Sequence, residues 1–182
     1  KLPEEGDTDF EHYKNDTRIK IINLARLWPE KNQKQLVAAS KILVDRGHDV
    51  GVYILGEGPM RAPLEAAIQK NDLTNNVYLL SVKRNPFPYL ADAQCHVLSS
   101  SYEGQGIVLL EAMTLDVPCV STDIPGPRSV LNNGLGILTE ETPEALADGM
   151  EQIIMKRFKP KRFDPEAYNA DALKRFLDAV AG

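Results

Sequence analysis

Residues 19–55 read IKIINLARLWPEKNQKQLVAASKILVDRGHDVGVYIL, and this stretch decides the fold class. It opens and closes on short runs rich in β-branched and apolar residues, over 19–24 and 50–55. Between them, Leu36, Ala39, Ile42 and Leu43 recur at the three- and four-residue spacing of one helix face, which predicts a helix over 33–46. Two strands joined by a helix cannot form a tight hairpin, so they are expected to run parallel. Strands apolar on both sides also need cover on both faces.

The same alternation continues outward. Strands are predicted over 77–80, 96–99, 118–121 and 137–138, and helices over 60–70, 86–91, 107–115, 143–155 and 165–180. The expected architecture is therefore α/β: a Rossmann-like parallel sheet with helices on both faces. Such sheets bind ligands beyond the carboxyl ends of their strands. The chemistry is thus expected in the loops after Leu24, Leu55, Leu80, Ser99 and Ser121. Residues 1–17 are polar and aperiodic and read as an acidic linker or tail, which leaves 18–182 as the domain.

Composition supports one folded unit: 182 residues, 43% hydrophobic and 26% charged, suffice for a buried core. No apolar run approaches the roughly 18 residues of a membrane span. Of the net charge of −5, most lies in residues 1–16, where six acids face two lysines. No basic face with aromatic or polar readers is present, which argues against a nucleic-acid partner. The late cluster Lys156, Arg157, Lys159, Lys161 and Arg162, with Phe158 and Phe163 among it, reads either as a solvated helix end or as peripheral contact with an anionic polymer or the inner membrane surface. Cys95 and Cys119 sit in apolar runs without metal-ligand spacing and read as buried thiols of a reducing, cytoplasmic protein. The chain starts at Lys1 without an apolar signal region, and we expect it to derive from a longer protein.

Three loops carry the candidate site. Ser99-Ser100-Ser101-Tyr102-Glu103-Gly104-Gln105-Gly106 leads from a strand into a helix bearing Glu111. Its glycines let backbone N–H groups approach a ligand, and the helix start favours phosphate. Glu111 follows Glu103 by about two helical turns, so the two carboxylates return to one side. A plain glycine turn before a solvated helix fits the same residues. Arg26 and Lys31 follow the first strand where a dinucleotide fold would carry glycines, so a nicotinamide-type turn is excluded; the two cations suit phosphate, or an ordinary charged surface. Gly56-Glu57-Gly58-Pro59 follows the second strand and reads as a turn that could admit a ligand. Thr122-Asp123-Ile124-Pro125-Gly126-Pro127-Arg128 reads as a rigid turn. Asp7-Thr8-Asp9 is set aside as a metal motif because nothing in a tail would fix it. His12, His48 and His96 are expected to be structural.

In this order and with these gaps, Arg26-Leu27 with Lys31, Gly56-Glu57-Gly58-Pro59, and Glu103-Gly104-Gln105-Gly106 with Glu111 resemble the carboxyl-terminal domain of the retaining GT-B glycosyltransferases of family 4. The resemblance covers most of residues 18–155. It implies half of an enzyme, gripping a nucleoside-diphosphate sugar, most readily a UDP-sugar, without a metal or other cofactor. The acceptor, a glycan or wall polymer, would be held by an amino-terminal domain. Carried onto this sequence, Arg26 and Lys31 would hold the diphosphate, Glu103 would meet the donor sugar and Glu111 would take the ribose hydroxyls. Gly104, Gln105 and Gly106 would line phosphate and sugar, Gly56 and Gly58 would border them, and residues 81–84, Ser81 and Lys83 among them, would flank the base. The departures are Asn32 and Asp116 where glycines are usual, Gln105 for an aromatic and Ser129 for an acid. The Tyr102–Gly106 and Ile124–Arg128 strings are similar to the branch that decorates teichoic acids. Sugar-nucleotide epimerases and non-catalytic nucleotide-binding modules share this architecture, but the histidines are poorly placed for epimerisation.

Overall fold

The structure, a computed structural model, describes residues 7–181. Six parallel strands, β1 (Ile19–Leu24), β2 (Val50–Leu55), β3 (Val77–Leu80), β4 (Cys95–Leu98), β5 (Cys119–Thr122) and β6 (Ile137–Thr139), form one sheet in the order β3-β2-β1-β4-β5-β6. This is the doubly wound order, and its direction reverses between β1 and β4. The central strands are buried along almost their whole length, as an apolar run flanked by helices requires.

One face is covered by α2 (Gln33–Asp45), α3 (Arg61–Lys70) and α7 (Pro143–Ile154). The other carries α1 (Thr8–Asn15), α4 (Phe87–Ala91), α5 (Ile107–Thr114) and α6 (Pro125–Leu131). Helix α8 (Pro165–Ala181) follows an irregular strap. None of the helices is long and apolar enough to cross a membrane among the described residues.

Two local expectations are corrected. Residues 1–6 of the expected tail lie outside the described residues, but 8–15 form α1. Asp7 caps it by accepting from the Phe10 N–H, and Phe10 and Tyr13 are buried on α4 and the sheet. Only two large apolar side chains tie α1 down, too few to register as periodicity in a charged stretch. The expected turn at Pro125 is instead the start of α6, whose proline sits at the first helical position, where its missing N–H costs nothing.

Two departures from the family pattern keep the backbone that a glycine would give. Asn32 has φ 46° and Asp116 φ 57°, both left-handed. Asn and Asp are the non-glycine residues that tolerate this region best.

His96 on β4 is fully buried, and neither ring nitrogen has a partner. Burial alone pushes its pKa down to about 3. An unfolded chain takes up this proton below about pH 6.5, whereas the folded chain resists it until about 3, so stability is complete above 6.5 and falls as pH drops through that window. The steepest slope is ~1.4 kcal/mol per pH unit. His96→Leu is expected to flatten the decline in urea midpoint between about pH 7 and 4.5; identical slopes for the two proteins would rule this out.

Candidate nucleotide site at the sheet switch point

Strand order places the crevice beyond β1 and β4, and the loops leaving these two strands meet there. The Ser101 N–H donates to the Glu30 carbonyl at 2.9 Å, and the Ser99 hydroxyl donates to the Lys31 carbonyl at 2.9 Å. Across this seam the Lys31 ammonium contacts the Glu103 carboxylate at 2.6 Å, with both side chains largely buried at 14% and 20% exposure. Lys31 and Glu103 therefore share one rim, in a form the sequence expectation did not contain: they satisfy each other.

Arg26 lies on the same loop but stays open to solvent. Its side chain is 70% exposed, 3.9 Å from Glu30 and over the Trp28 ring. The loop beneath it is fixed from behind, since the Gln33 side-chain amide donates to the Arg26 carbonyl at 3.0 Å. The arrangement thus offers one exposed forked cation and one anchored ammonium.

The glycines divide into two groups. A Cβ on Gly56 would lie 2.0 Å from the Ala25 carbonyl oxygen, and one on Gly58 2.3 Å from that of Leu27. These glycines let the chain's own first loop pack closely against the turn that follows β2. Gly104, by contrast, has open space where a side chain would project, and Gly106 adopts φ +75° to turn the chain into α5. Gly104 therefore leaves backbone accessible beside the helix start, as a phosphate or sugar contact needs, whereas Gly106 is buried against Leu98 and Leu109 and serves the turn.

Glu111 sits on α5. Among the described residues no hydrogen bond or ion pair joins it to Arg26 or Lys31, and burial raises its carboxyl pKa. It lines a pocket of about 300 Å³ with Phe87, Phe163 and Tyr168. Neither Phe87 nor Tyr168 stands out in the sequence. Tyr168 is brought there by α8, where its hydroxyl accepts from the Gln105 side-chain amide at 2.8 Å. Gln105 is therefore engaged by α8, and the Ser129 hydroxyl is engaged within α6, donating to the Gly126 carbonyl at 2.6 Å. Ser81 is exposed at the carboxyl end of β3. Lys83, expected beside the base, instead contacts Asp7 at 2.8 Å and Asp9 at 2.7 Å. The Asp7-Thr8-Asp9 tripeptide, expected to lie unfixed in a tail, thus has a fixed geometry, set by Lys83.

The histidines take structural places: His48 pairs with Glu151 at 2.6 Å and His12 packs on the Tyr78 ring. Cys95 and Cys119 are free and buried, and burial pushes the Cys119 thiol up to about 12.

Residues 5–170 match the family described as glycosyl transferases group 1. The chain belongs to this family. Among its relatives, the α-D-kanosaminyltransferase of Streptomyces kanamyceticus is 32% identical over 175 residues, covering 93% of this chain and 45% of the relative. The poly(ribitol-phosphate) α-N-acetylglucosaminyltransferase of Staphylococcus aureus is 30% identical over 135 residues, covering 72% of this chain and 27% of the relative. A crystal structure of a point mutant of S. aureus TarM with fondaparinux, α-GlcNAc-glycerol and UDP superposes with a TM-score of 0.72 at 29% identity, over 77% of this chain and 29% of TarM. The glycosyltransferase domain seen here thus spans less than half the length of these relatives.

Proposed function

We propose that this chain, α1 included, is the donor-binding domain of a retaining glycosyltransferase that moves a hexose from a nucleoside-diphosphate sugar, a UDP-sugar in the first instance, to an acceptor hydroxyl. The observation that carries this reading is the 2.6 Å Lys31–Glu103 contact at the β1/β4 switch point, where cation and carboxylate are already gathered. Arg26 and Lys31 hold the diphosphate and stabilise the negative charge that develops on it as the glycosidic bond breaks. Glu103, released from Lys31, meets the donor sugar, and Glu111 accepts from the ribose hydroxyls. No role as nucleophile is given to Glu103.

The teichoic-acid resemblance, together with the poly(ribitol-phosphate) relative, supports an acceptor of the bacterial wall-polymer class at the cytoplasmic membrane face. Donor and acceptor must be held in one cleft for transfer. The acceptor-holding half belongs to an amino-terminal domain, so this chain alone binds donor and transfers nothing. Calorimetric titration against UDP-, GDP-, ADP- and CDP-sugars tests the proposal. Binding of the uridine series is expected; no heat with any member would refute it.

A further inference from the structure

Helix α1 is tied to the nucleoside side of the site by a compact set of polar contacts. The Lys83 ammonium donates to Asp7 Oδ1 at 2.8 Å and to Asp9 Oδ2 at 2.7 Å, and lies over the Tyr89 ring. The Tyr89 hydroxyl donates to the other Asp7 oxygen at 2.8 Å, and the Tyr13 hydroxyl donates to the Tyr89 carbonyl at 2.6 Å. The Lys83 and Asp7 side chains are only 13% and 10% exposed. One carboxylate therefore grips both the loop that follows β3 and the helix that the loop enters. Phe87, the first residue of that helix, lines the Glu111 pocket.

Two consequences follow from this geometry. Lys83 has its charge matched by two carboxylates, so it cannot turn toward a ligand without releasing α1. Conversely, anything that loosens Asp7 releases the Tyr89 hydroxyl and leaves Lys83 held only by the more exposed Asp9, so loop 81–84 and the start of α4 loosen together.

We infer that Asp7 is a positioning residue for nucleoside recognition: through Lys83 and Tyr89 it sets where loop 81–84 and Phe87 stand beside Glu111. The inference rests on the nucleotide-binding reading above and extends it to the segment before the first strand. It implies that the nucleoside half of a donor senses α1, whereas the diphosphate half, held by Arg26 and Lys31, does not.

Calorimetry on this chain with UDP and with inorganic pyrophosphate separates the halves, using Asp7→Asn, Lys83→Met, Lys83→Arg and the Asp7→Asn/Lys83→Met double variant. Asp7→Asn and Lys83→Met are each expected to weaken UDP by about tenfold, leaving pyrophosphate within about twofold, with the double variant no worse than either single. Lys83→Arg, which keeps a cation between the carboxylates, is expected to retain UDP affinity. Amide exchange in loop 81–84 should quicken in the two weakened singles while that of β1 stays put. Equal UDP affinity in wild type and both singles sinks the inference alone, as does a proportional loss of both ligands, which would signal general damage. Wild-type chain that bound neither ligand would remove the reading of the site and the inference with it.

Discussion

Lys31→Ala is expected to weaken UDP binding by about 100-fold, equivalent to ~2.8 kcal/mol, within the usual range for truncating one side of a shielded charge contact. Lys31 is the anchored cation of the site: its side chain is 14% exposed, and the backbone around it is pinned to Ser99 and Trp28. Arg26 stands in solvent and cannot replace a fixed charge. The companion change discriminates between a ligand contact and a structural pair. Glu103→Gln removes the anion paired with Lys31, so bare UDP is expected to bind as well as or better than in wild type. Were the ion pair merely structural, both substitutions would lower thermal stability alike and neither would separate UDP affinity from it. Raising salt should weaken wild-type binding more than that of Lys31→Ala, because fewer charges remain to be screened.

Gly126→Ala is expected to damage both the fold and the site. Its Cβ would fall 2.4 Å from the Gly104 carbonyl oxygen and 2.5 Å from that of Glu103, both backbone atoms without a flexible end to yield. The loop bearing Glu103 must move away from α6, which breaks the meeting of the two strand-exit loops. Overpacking of this kind costs ~1–3 kcal/mol, or roughly 2–12 °C in Tm for a domain of this size. UDP affinity should fall with it by about tenfold or more, as reach to the diphosphate is lost. Gly104→Ala is the control. A Cβ there meets nothing within 4 Å, so Tm should hold while UDP binding drops, since the open space beside Gly104 is where a ligand would approach. If Gly104→Ala bound UDP normally, the accessible backbone at the start of α5 would have no part in binding.

The sheet and most of its helices were legible because their signals are local. Apolar runs over 19–24 and 50–55 are separated by a stretch of helical period, and their burial on both faces follows from composition. The predicted strand at 96–99 slipped by one residue to Cys95–Leu98, and that at 118–121 to Cys119–Thr122, since a strand buried on both faces has no alternation to mark its ends. Helix α1 was missed because its anchors, Phe10 and Tyr13, are isolated among charges, and its partners Lys83 and Tyr89 are more than 70 residues on.

Candidate site residues could be proposed from the sequence, but not the contacts they make. Arg26, Lys31, Glu103 and Glu111 could be named from residue type and loop position. Nothing in their spacing could show that Lys31 and Glu103, 72 residues apart, close on each other, that Lys83 is taken by α1, or that Gln105 is held by Tyr168 of α8.

The amino-acid sequence by itself determined a parallel sheet wrapped on both faces, and the strand exits at which charge and glycine collect, because periodicity and turn chemistry act between neighbours along the chain. The tertiary structure alone decided which glycines admit backbone and which leave room for a ligand, and which charges are spent on one another. Those outcomes depend on distances between segments remote in sequence, set only once strand order brings β1 beside β4 and α1 beside α4.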